Sequence, residues 1–209
     1  MSSTVPRPRT RKAPAERSAE IVAAATAVAR EQGLSALTLR AVAERAGITS
    51  GLVAHYQPSM DDLIARVYTD LVEEEVRDVE RVVAVAPGAA ASLGALIDTL
   101  MDGARDELTV VWVEGWAMAR RSDALAAAVH AQMQRWQTLV ERIVEEGCRT
   151  GAFSTTEPGE VSWQLIGMID GLNAQSLARG TDTTRFARRT ARAAEALVGA
   201  QPGTIPVTA

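Results

Sequence analysis

Residues 38–57, with the sequence TLRAVAERAGITSGLVAHYQ, decide the fold of this chain. Thr38 is placed to cap a short helix, and Gly47 interrupts that helix. Thr49 is placed to cap a second short helix that runs to about Tyr56. The first helix has one apolar face, made of Leu39, Val42, Ala43 and Ala46. The pattern predicts two helices that meet at a glycine-containing turn.

The sizes of the residues in this stretch indicate what the second helix does. Ala43 is small where the two helices cross, and Gly47 supplies the backbone conformation of a tight turn. Ser50, Gly51 and Ala54 give the second helix a small-residue face that fits a DNA major groove roughly 12 Å wide. The stretch therefore favours a helix-turn-helix motif. An ordinary helical hairpin inside a bundle is the alternative.

Helical periodicity continues on both sides of this motif. A first helix with an apolar face ends at Gly33. Ser59 is placed to cap a long fourth helix that reaches about Val85, before Pro87 and Gly88. At 1.5 Å per residue this helix is roughly 40 Å long, enough to join two domains.

The rest of the chain is predicted to be helical as well. Residues 88–200 show amphipathic periodicity, and no stretch alternates as a strand does. The predicted helices are 89–106, 107–120, 122–147, 158–179 and 182–199. The predicted class is all-α, with a three-helix N-terminal DNA-binding domain and a C-terminal helical domain for ligand binding and dimerisation.

Four segments follow from these patterns. They are a disordered basic arm (1–15), a helix-turn-helix DNA-binding domain (16–62), a helical ligand-binding and dimerisation domain (63–200) and a disordered tail (201–209). The arm contains prolines, which interrupt helices, and the basic residues Arg7, Arg9, Arg11 and Lys12. It either adds phosphate contacts to DNA or solubilises the chain.

Charge is distributed unevenly along the chain. The net charge is −4, yet residues 1–60 hold eight Arg and Lys against four Asp and Glu. A basic N-terminal part on an acidic body indicates a polyanion-binding module, although ordinary surface charge gives the same skew. No apolar run reaches the roughly 18 residues of a membrane span. The single cysteine, Cys148, excludes an internal disulfide, which fits a reducing cytoplasm. From these two observations we expect no membrane partner and a cytoplasmic location.

Enzymes form the competing class of function. His55 and His130 lie 75 positions apart and lack metal-ligand spacing. No nucleophile elbow, phosphate-binding glycine loop or HExxH motif is present. Cys148 is better explained by packing than by nucleophilic catalysis. We therefore expect no catalytic residue, no metal and no cofactor.

The stretch from Thr38 to Leu63 resembles the helix-turn-helix of the tetracycline-repressor (TetR) family. That motif reads T-x-R-x-[IV]-A-x-x-A-G-[VI]-[ST]-x-G-x-[LIV]-x-x-[YH]-F-x-[SN]-K-x-x-L. The matching positions here are Thr38, Arg40, Val42, Ala43, Ala46, Gly47, Ile48, Thr49, Gly51, Val53, Tyr56, Ser59 and Leu63. Two positions depart from it: Gln57 stands where the family has Phe, and Met60 where it has a phosphate-binding Lys.

The resemblance implies a DNA-binding role for individual residues. Thr38 would bond a phosphate, and Arg40, Thr49, His55 and Tyr56 are further candidates for backbone contacts. His55 could instead be a half-buried packing residue. The residues that would face the bases of double-stranded operator DNA are Ser50, Gly51, Leu52 and Ala54.

The C-terminal half resembles the betaine-regulator (BetI-like) branch of the same family. The resembling stretches are VWVEGWAMARRSDAL, QRWQTLVERIVEEGCRTGAF and IGMIDGLNAQSLARG. In that branch the last two helices form a four-helix core with a second copy, which implies a homodimer through 158–179 and 182–199. Gly167 and Gly171 would permit close approach of the helices, or are merely tolerated there.

An effector pocket is the final expectation. Four of the eight aromatic residues are tryptophans, and all lie in the C-terminal body. The candidate ligand-binding residues are Trp112, Trp116, Trp136, Met133 and Asn173; for the tryptophans and Met133 the alternative is core and dimer packing. Asp170 and Asn173 lie on a largely apolar helix, where they could orient a polar group of a ligand or pair across the dimer. Together these expectations describe a ligand-released repressor that binds a pseudo-palindromic operator as a homodimer and responds to a small-molecule effector. A helical ligand-binding or adaptor protein without a DNA target is the other possibility.

Overall fold

Nine α-helices and one short 3-10 segment make up residues 13–208, the part of the chain that the computed structural model describes. The helices are α1 (Pro14–Gln32), α2 (Leu39–Ala46), α3 (Ser50–Tyr56), α4 (Met60–Ala84), α5 (Ala89–Leu100), α6 (Asp106–Ala119), α7 (Asp123–Thr150), α8 (Pro158–Arg179) and α9 (Thr184–Leu197). The 3-10 segment, Leu34–Ala36, joins α1 to α2. Residues 13–208 contain no strand, and the predicted all-α class is confirmed.

Helix α1 begins earlier than the sequence indicated. Pro14 occupies its first turn, where the fixed φ of proline suits a helix and no intrahelical N–H is needed. The prediction that Pro14 and Ala15 belong to a disordered arm is therefore wrong. Residues 1–12, which hold the basic residues of that arm, lie outside the described part.

The helix-turn-helix is built by its own caps and core. Thr38 Oγ1 accepts a hydrogen bond from the N–H of Ala41 and opens α2, and Thr49 Oγ1 accepts one from Leu52 and opens α3. Gly47 adopts a left-handed conformation between the helices, with φ of 64°. Val53 is fully buried between these helices and α1. Each of these local predictions is confirmed.

Helix α4 connects the N-terminal helices to the body. Its buried stripe runs from Leu63 to Val79, and its main packing partners are α7, α5 and α1. The boundary expected between residues 62 and 63 falls in its first turn, so the two predicted domains share this helix. Ser59 caps it by accepting a hydrogen bond from Asp62.

Four helices of the body end at other residues than predicted, two of them, α6 and α9, by only one and two residues. Helix α5 ends at Leu100 rather than 106, because Asp102 accepts a hydrogen bond from Ala104 and Gly103 takes a positive φ of 75°. Helix α7 continues past 147 to Thr150. Gly147 suits this helix because the ring of Phe153 occupies the place where a β-carbon would stand. Helix α8 has the predicted bounds.

The C-terminal residues 201–208 correct a further expectation. They pack across α5 and α9 instead of forming a disordered tail. Ile205 is buried, and its N–H donates to Glu195. Thr208 donates from both its N–H and its hydroxyl to Asp98. Burial of Ile205 and these hydrogen bonds oppose the loss of entropy that ordering the segment entails.

No helix within residues 13–208 is both long enough and apolar enough to cross a membrane.

Candidate functional site

Helix α3 presents an outer face of mostly small side chains at one end of the molecule. Ser50, Gly51 and His55 are exposed, and Leu52 and Ala54 are half-buried. A β-carbon on Gly51 would meet nothing within 4 Å. A partner surface can therefore approach this helix closely.

Two hydroxyls flank this face at the starts of α2 and α3. Thr38 and Thr49 are exposed, and each oxygen already accepts a capping hydrogen bond from the backbone. Each hydroxyl proton therefore remains available to donate to a phosphate oxygen. Arg40, one turn into α2, is also exposed.

The two aromatic candidates at the end of α3 have different surroundings. Tyr56 is half-buried against the core, and its ring meets that of His55 edge-on at 5.1 Å. His55 itself is exposed, so the alternative of a half-buried packing histidine is wrong.

The two departures from the family motif lie beside α1 and at the start of α4. Gln57 is half-buried, and its Nε2 donates to Ser18 Oγ of α1 at 3.3 Å. An amide hydrogen bond thus links α3 to α1 where the family packs an aromatic ring. Met60 is half-buried against the core. Because its side chain is uncharged, it supplies no cation beside the α3 face.

The body contains a small cavity between α4, α5, α6, α7 and α8. Its volume is about 50 Å³. All five predicted ligand residues line it: Trp112, Trp116, Met133, Trp136 and Asn173. The rings of Trp112 and Trp116 lie 5.8 Å apart at 46°, and Tyr68 meets Trp112 edge-on at 5.5 Å.

Two carboxylates also line this aromatic cavity. Glu75 of α4 is buried and accepts a hydrogen bond from Trp112 Nε1 at 3.0 Å. Burial raises the pKa of Glu75, while that hydrogen bond and the charge of Arg105 oppose the rise. Asp170 of α8 is half-buried, and burial, followed by the charge of Glu75, raises its pKa to about 7. Ionisation of these two carboxylates inside the cavity therefore costs free energy.

Several polar atoms around the cavity have no partner among residues 13–208. They include Trp116 Nε1, Trp136 Nε1, Asn173 Oδ1 and the Tyr68 hydroxyl. Asn173 Nδ2 donates to the carbonyl of Leu100 at 3.1 Å, which ties α8 to α5 and fixes the side chain. Buried polar atoms usually have a hydrogen-bond partner, so these atoms could bond to a water molecule or a ligand in the cavity.

Sequence reasoning missed Glu75 and Tyr68. The signal for Glu75 was a carboxylate inside the apolar stripe of α4, one turn after Leu71 and one turn before Val79. A charged residue at a core position requires a partner, which makes it a candidate for a functional site.

Helix α6 joins the cavity to the helix-turn-helix. One face carries Trp112 and Trp116, and Glu114 lies on another. The Glu114 carboxylate accepts hydrogen bonds from the N–H and the hydroxyl of Ser35, at 2.9 and 2.6 Å, in the segment before α2. Arg30 of α1 pairs with Glu107 of α6 and with Glu74 of α4.

The outer face of α8 contains the two predicted dimer glycines. Gly167 is exposed and Gly171 half-buried, and a β-carbon on either meets nothing within 4 Å. Trp163 on the same helix is 64% exposed. The surface beside the two glycines is therefore open to close approach by another helix.

Within residues 13–208 no three metal-ligating side chains come together. His130 is exposed, and Cys148 is half-buried with its Sγ donating to the carbonyl of Thr155 at 3.4 Å.

Two family models match the chain. Residues 21–67 match the model for bacterial regulatory proteins of the tetR family, and residues 89–199 match that for the C-terminal part of BetI-type transcriptional repressors. The chain is also 29% identical to the HTH-type transcriptional regulator BetI of Burkholderia cenocepacia, over 84% of this chain and 90% of that protein.

Solved structures share the fold. A transcriptional regulator from Saccharomonospora viridis, in complex with choline, has a TM-score of 0.75 at 18% identity and covers 84% of this chain and 94% of its own. FadR from Bacillus subtilis, in complex with stearoyl-CoA, has a TM-score of 0.70 at 16% identity and covers 88% and 98%.

Proposed function

Because the chain belongs to the TetR family of bacterial regulatory proteins, with a BetI-type C-terminal half, we propose that it is a repressor released from its operator by a small organic cation. The observation that carries the proposal is the cavity, where aromatic rings and two carboxylates line a space joined to the helix-turn-helix through α6. We propose no catalytic step, and we place the protein in the cytoplasm with its DNA.

DNA binding is assigned to the face of α3 and its flanking hydroxyls. Ser50, Gly51, Leu52 and Ala54 would face base edges in the major groove. Contacts to phosphates are assigned to Thr38, Arg40, Thr49, His55 and Tyr56. These roles rest on the family match and on the exposure of six of the nine residues; the other three, Leu52, Ala54 and Tyr56, are half-buried.

The cationic nature of the effector follows from the cavity walls. A cation over the faces of tryptophan rings gains cation–π attraction, which is largest where water is excluded. Glu75 and Asp170 would supply the counter-charge, and a bound cation would remove the penalty of their burial. Asn173 Oδ1 would accept a hydrogen bond from a hydroxyl or amine of the ligand.

Cavity size favours a compact effector. A volume of about 50 Å³ is several times what one buried water needs, so a ligand with several non-hydrogen atoms would enter only as the lining side chains move apart. A long acyl chain such as that of stearoyl-CoA, which FadR from Bacillus subtilis holds, would need a much larger space. Choline, which the regulator from Saccharomonospora viridis holds, is a small aromatic-binding cation and fits the charge of this cavity. We therefore use choline as the probe.

Dimerisation is proposed through α8 and α9. The open surface at Gly167 and Gly171 and the exposed Trp163 support α8 as the contact face. Two recognition helices held about 34–36 Å apart would read successive major grooves of a palindrome.

The DNA-binding proposal is tested by a gel shift with the region upstream of the protein's own reading frame. Gly51→Glu should abolish the shift, because a carboxylate would face phosphates in the groove, and should leave the fold intact, because its site is open. Ala127→Glu, on an exposed position of α7, is the matched control. Normal binding by folded Gly51→Glu would contradict the placement of α3, and absence of binding by the unsubstituted protein would favour an adaptor.

The effector proposal is tested by tryptophan fluorescence, since three tryptophans line the cavity. Choline should quench or shift the emission, and its uncharged carbon isostere should bind at least tenfold more weakly. Added operator DNA should weaken choline binding by the same factor by which choline weakens DNA binding. Equal affinity for the two compounds would contradict a cation site.

A further inference from the structure

The described part of the DNA-binding module carries little free positive charge. Residues 13–67 hold five arginines against six Asp and Glu. Four of these arginines are in ion pairs: Arg17 with Glu20, Arg30 with Glu74, Arg45 with Glu31 and Arg66 with Asp70. Within that range only Arg40 is left without an ion pair, yet binding to the DNA backbone depends on cations that neutralise phosphates.

The shortage is greatest at the start of α4. Met60 stands where related motifs have a phosphate-binding lysine. Asp61 and Asp62 follow it, and both are exposed. These carboxylates favour the helix N-terminus but repel a nearby DNA backbone. A cation from another element is needed to bring phosphates to this edge of the α3 face.

Helix α6 runs antiparallel to α4 and ends at this edge. Gly115 lies against the Tyr68 ring, near the middle of α4. One turn further along, Met118 and Arg121 line a surface groove together with Asp61 and Ile64 of α4. The turn between α6 and α7 is therefore beside the first turn of α4, next to the DNA-facing end of the module.

This turn carries two adjacent arginines, Arg120 and Arg121. Both are exposed, and neither has an ion-pair partner among residues 13–208. A guanidinium has five donors in a planar fork and matches a phosphate with two parallel hydrogen bonds. The pair supplies the kind of group that is missing at Met60.

We propose that Arg120 and Arg121, although they belong to the effector-binding part of the chain, contact the DNA phosphate backbone beside the start of α4. The inference rests on the proposed DNA-binding function. It adds a second phosphate-binding site to the helix-turn-helix and assigns it to residues that sequence reasoning did not single out.

The positions of Arg120 and Arg121 also place the proposed DNA contacts a short distance from the effector cavity. Trp116 lines the cavity, and Arg120, the first residue after α6, lies four residues later, about one helical turn away. A displacement of α6 by a bound ligand would move the two arginines away from the phosphates directly, in addition to any motion of α3.

Salt-dependent binding tests the proposal. The Arg120→Ala/Arg121→Ala protein is titrated with a labelled mixed-sequence duplex and with the upstream fragment over a series of salt concentrations. We expect weaker binding to both, by on the order of tenfold or more, and a log–log slope reduced by about 0.9 for each phosphate that is no longer neutralised. Equal weakening on the two duplexes is expected because phosphate contacts carry no sequence information.

Three further proteins control the result. Arg149→Ala removes an exposed arginine at the opposite end of α7 and should leave the slope unchanged. Arg120→Lys/Arg121→Lys keeps the charge and should keep most of the slope. Asp61→Asn removes a repelling charge and should strengthen binding to both duplexes. Circular dichroism confirms that each variant is folded.

The outcomes separate this inference from the proposed function. An unchanged slope for the alanine pair, or an equal change for Arg149→Ala, overturns the phosphate contact while leaving the repressor function in place. Failure of the unsubstituted protein to bind either duplex overturns both.

Discussion

Glu114 of α6 accepts two hydrogen bonds from Ser35, one from its N–H at 2.9 Å and one from its hydroxyl at 2.6 Å. The two residues lie 79 positions apart in the sequence. Their contact fastens the helix that walls the effector cavity to the segment that leads into the helix-turn-helix. On this contact, which we call the Glu114–Ser35 clasp, we base the proposed coupling between effector and DNA.

Removal of the clasp should uncouple the effector from the DNA. Glu114→Ala should reduce the ratio of DNA affinities measured without and with choline toward one. It should also lower the free energy of unfolding by about 1–2 kcal/mol, since two hydrogen bonds to a charged group disappear at a partly exposed site. Fluorescence anisotropy and urea denaturation measure the two effects. Glu31→Ala breaks the Arg45 pair inside the N-terminal helices and should leave the ratio unchanged; a similar reduction there would contradict the role of the clasp.

Two glycines with positive φ should differ sharply in their tolerance of alanine. Gly47 has φ of 64° and ψ of 36°, and nothing lies within 4 Å of its β-carbon position. Gly33 has φ of 86° and ψ of 169°, a region almost restricted to glycine, and its β-carbon would stand 2.5 Å from Glu114 Oε2. We expect Gly47→Ala to cost about 1 kcal/mol and Gly33→Ala clearly more in thermal or urea unfolding.

The crowding at Gly33 can be separated from its backbone strain. Gly33→Ala combined with Glu114→Ala should cost less than the sum of the two single changes, because the carboxylate that clashes is gone. Strict additivity would show that the close approach to Glu114 is unimportant.

Choline affinity should rise with pH through neutrality. The pKa of Asp170 is raised to about 7, first by partial burial and then by the charge of Glu75. Choline carries no titrating proton, so the ionised form of Asp170 should bind it better. Between pH 6 and pH 8 we expect affinity to rise by about tenfold. Asp170→Asn should abolish the dependence, and a flat profile for the unsubstituted protein would contradict it.

Asp170 also determines the direction in which the stability of the fold changes with pH. The pKa of Asp170 is higher in the folded protein than in the unfolded chain. Protonation therefore stabilises the fold, and that contribution is lost as the pH rises through about 7. Without ligand, the unfolding midpoint should fall over this range, and less so in Asp170→Asn.

The C-terminal segment should contribute to stability. Ile205→Ala should lower the free energy of unfolding by about 2–4 kcal/mol, because Ile205 is buried against α5 and α9. Gln201→Ala, at an exposed position of the same segment, should change it by less than about 0.5 kcal/mol. Equal effects in urea denaturation would mean that residues 201–208 do not hold this position in solution.

A bulky residue on α8 should prevent assembly. Gly171→Trp fits the isolated protomer, since nothing lies within 4 Å of its β-carbon position, but it would force apart two helices in close contact. Sedimentation should report a folded monomer and a loss of operator binding. Glu145→Trp, at an exposed position of α7, should remain dimeric. A dimeric Gly171→Trp protein would place the interface elsewhere.

Much of the site could be predicted, Asp170 included, and the carboxylate that was missed is the buried Glu75. The tryptophans, Met133 and Asn173 were singled out because aromatic and polar residues in an apolar body are the usual materials of a pocket. Whether they met in one cavity depended on α6, α7 and α8 packing together. Glu75 and Asp170 lie on different helices, and the charge of Glu75 raises the pKa of Asp170 only because folding brings the two close.

The sequence by itself determined the helix-turn-helix and the helix class of the chain. Thr38, Gly47 and Thr49 act on backbone groups within a few residues, so their effects are readable from neighbours. Only the tertiary structure decided that residues 201–208 pack down, that Glu114 reaches Ser35 and that Arg121 lies beside Asp61. Burial, charge coupling and close packing arise between residues far apart in the chain, and no local pattern encodes which of them will meet.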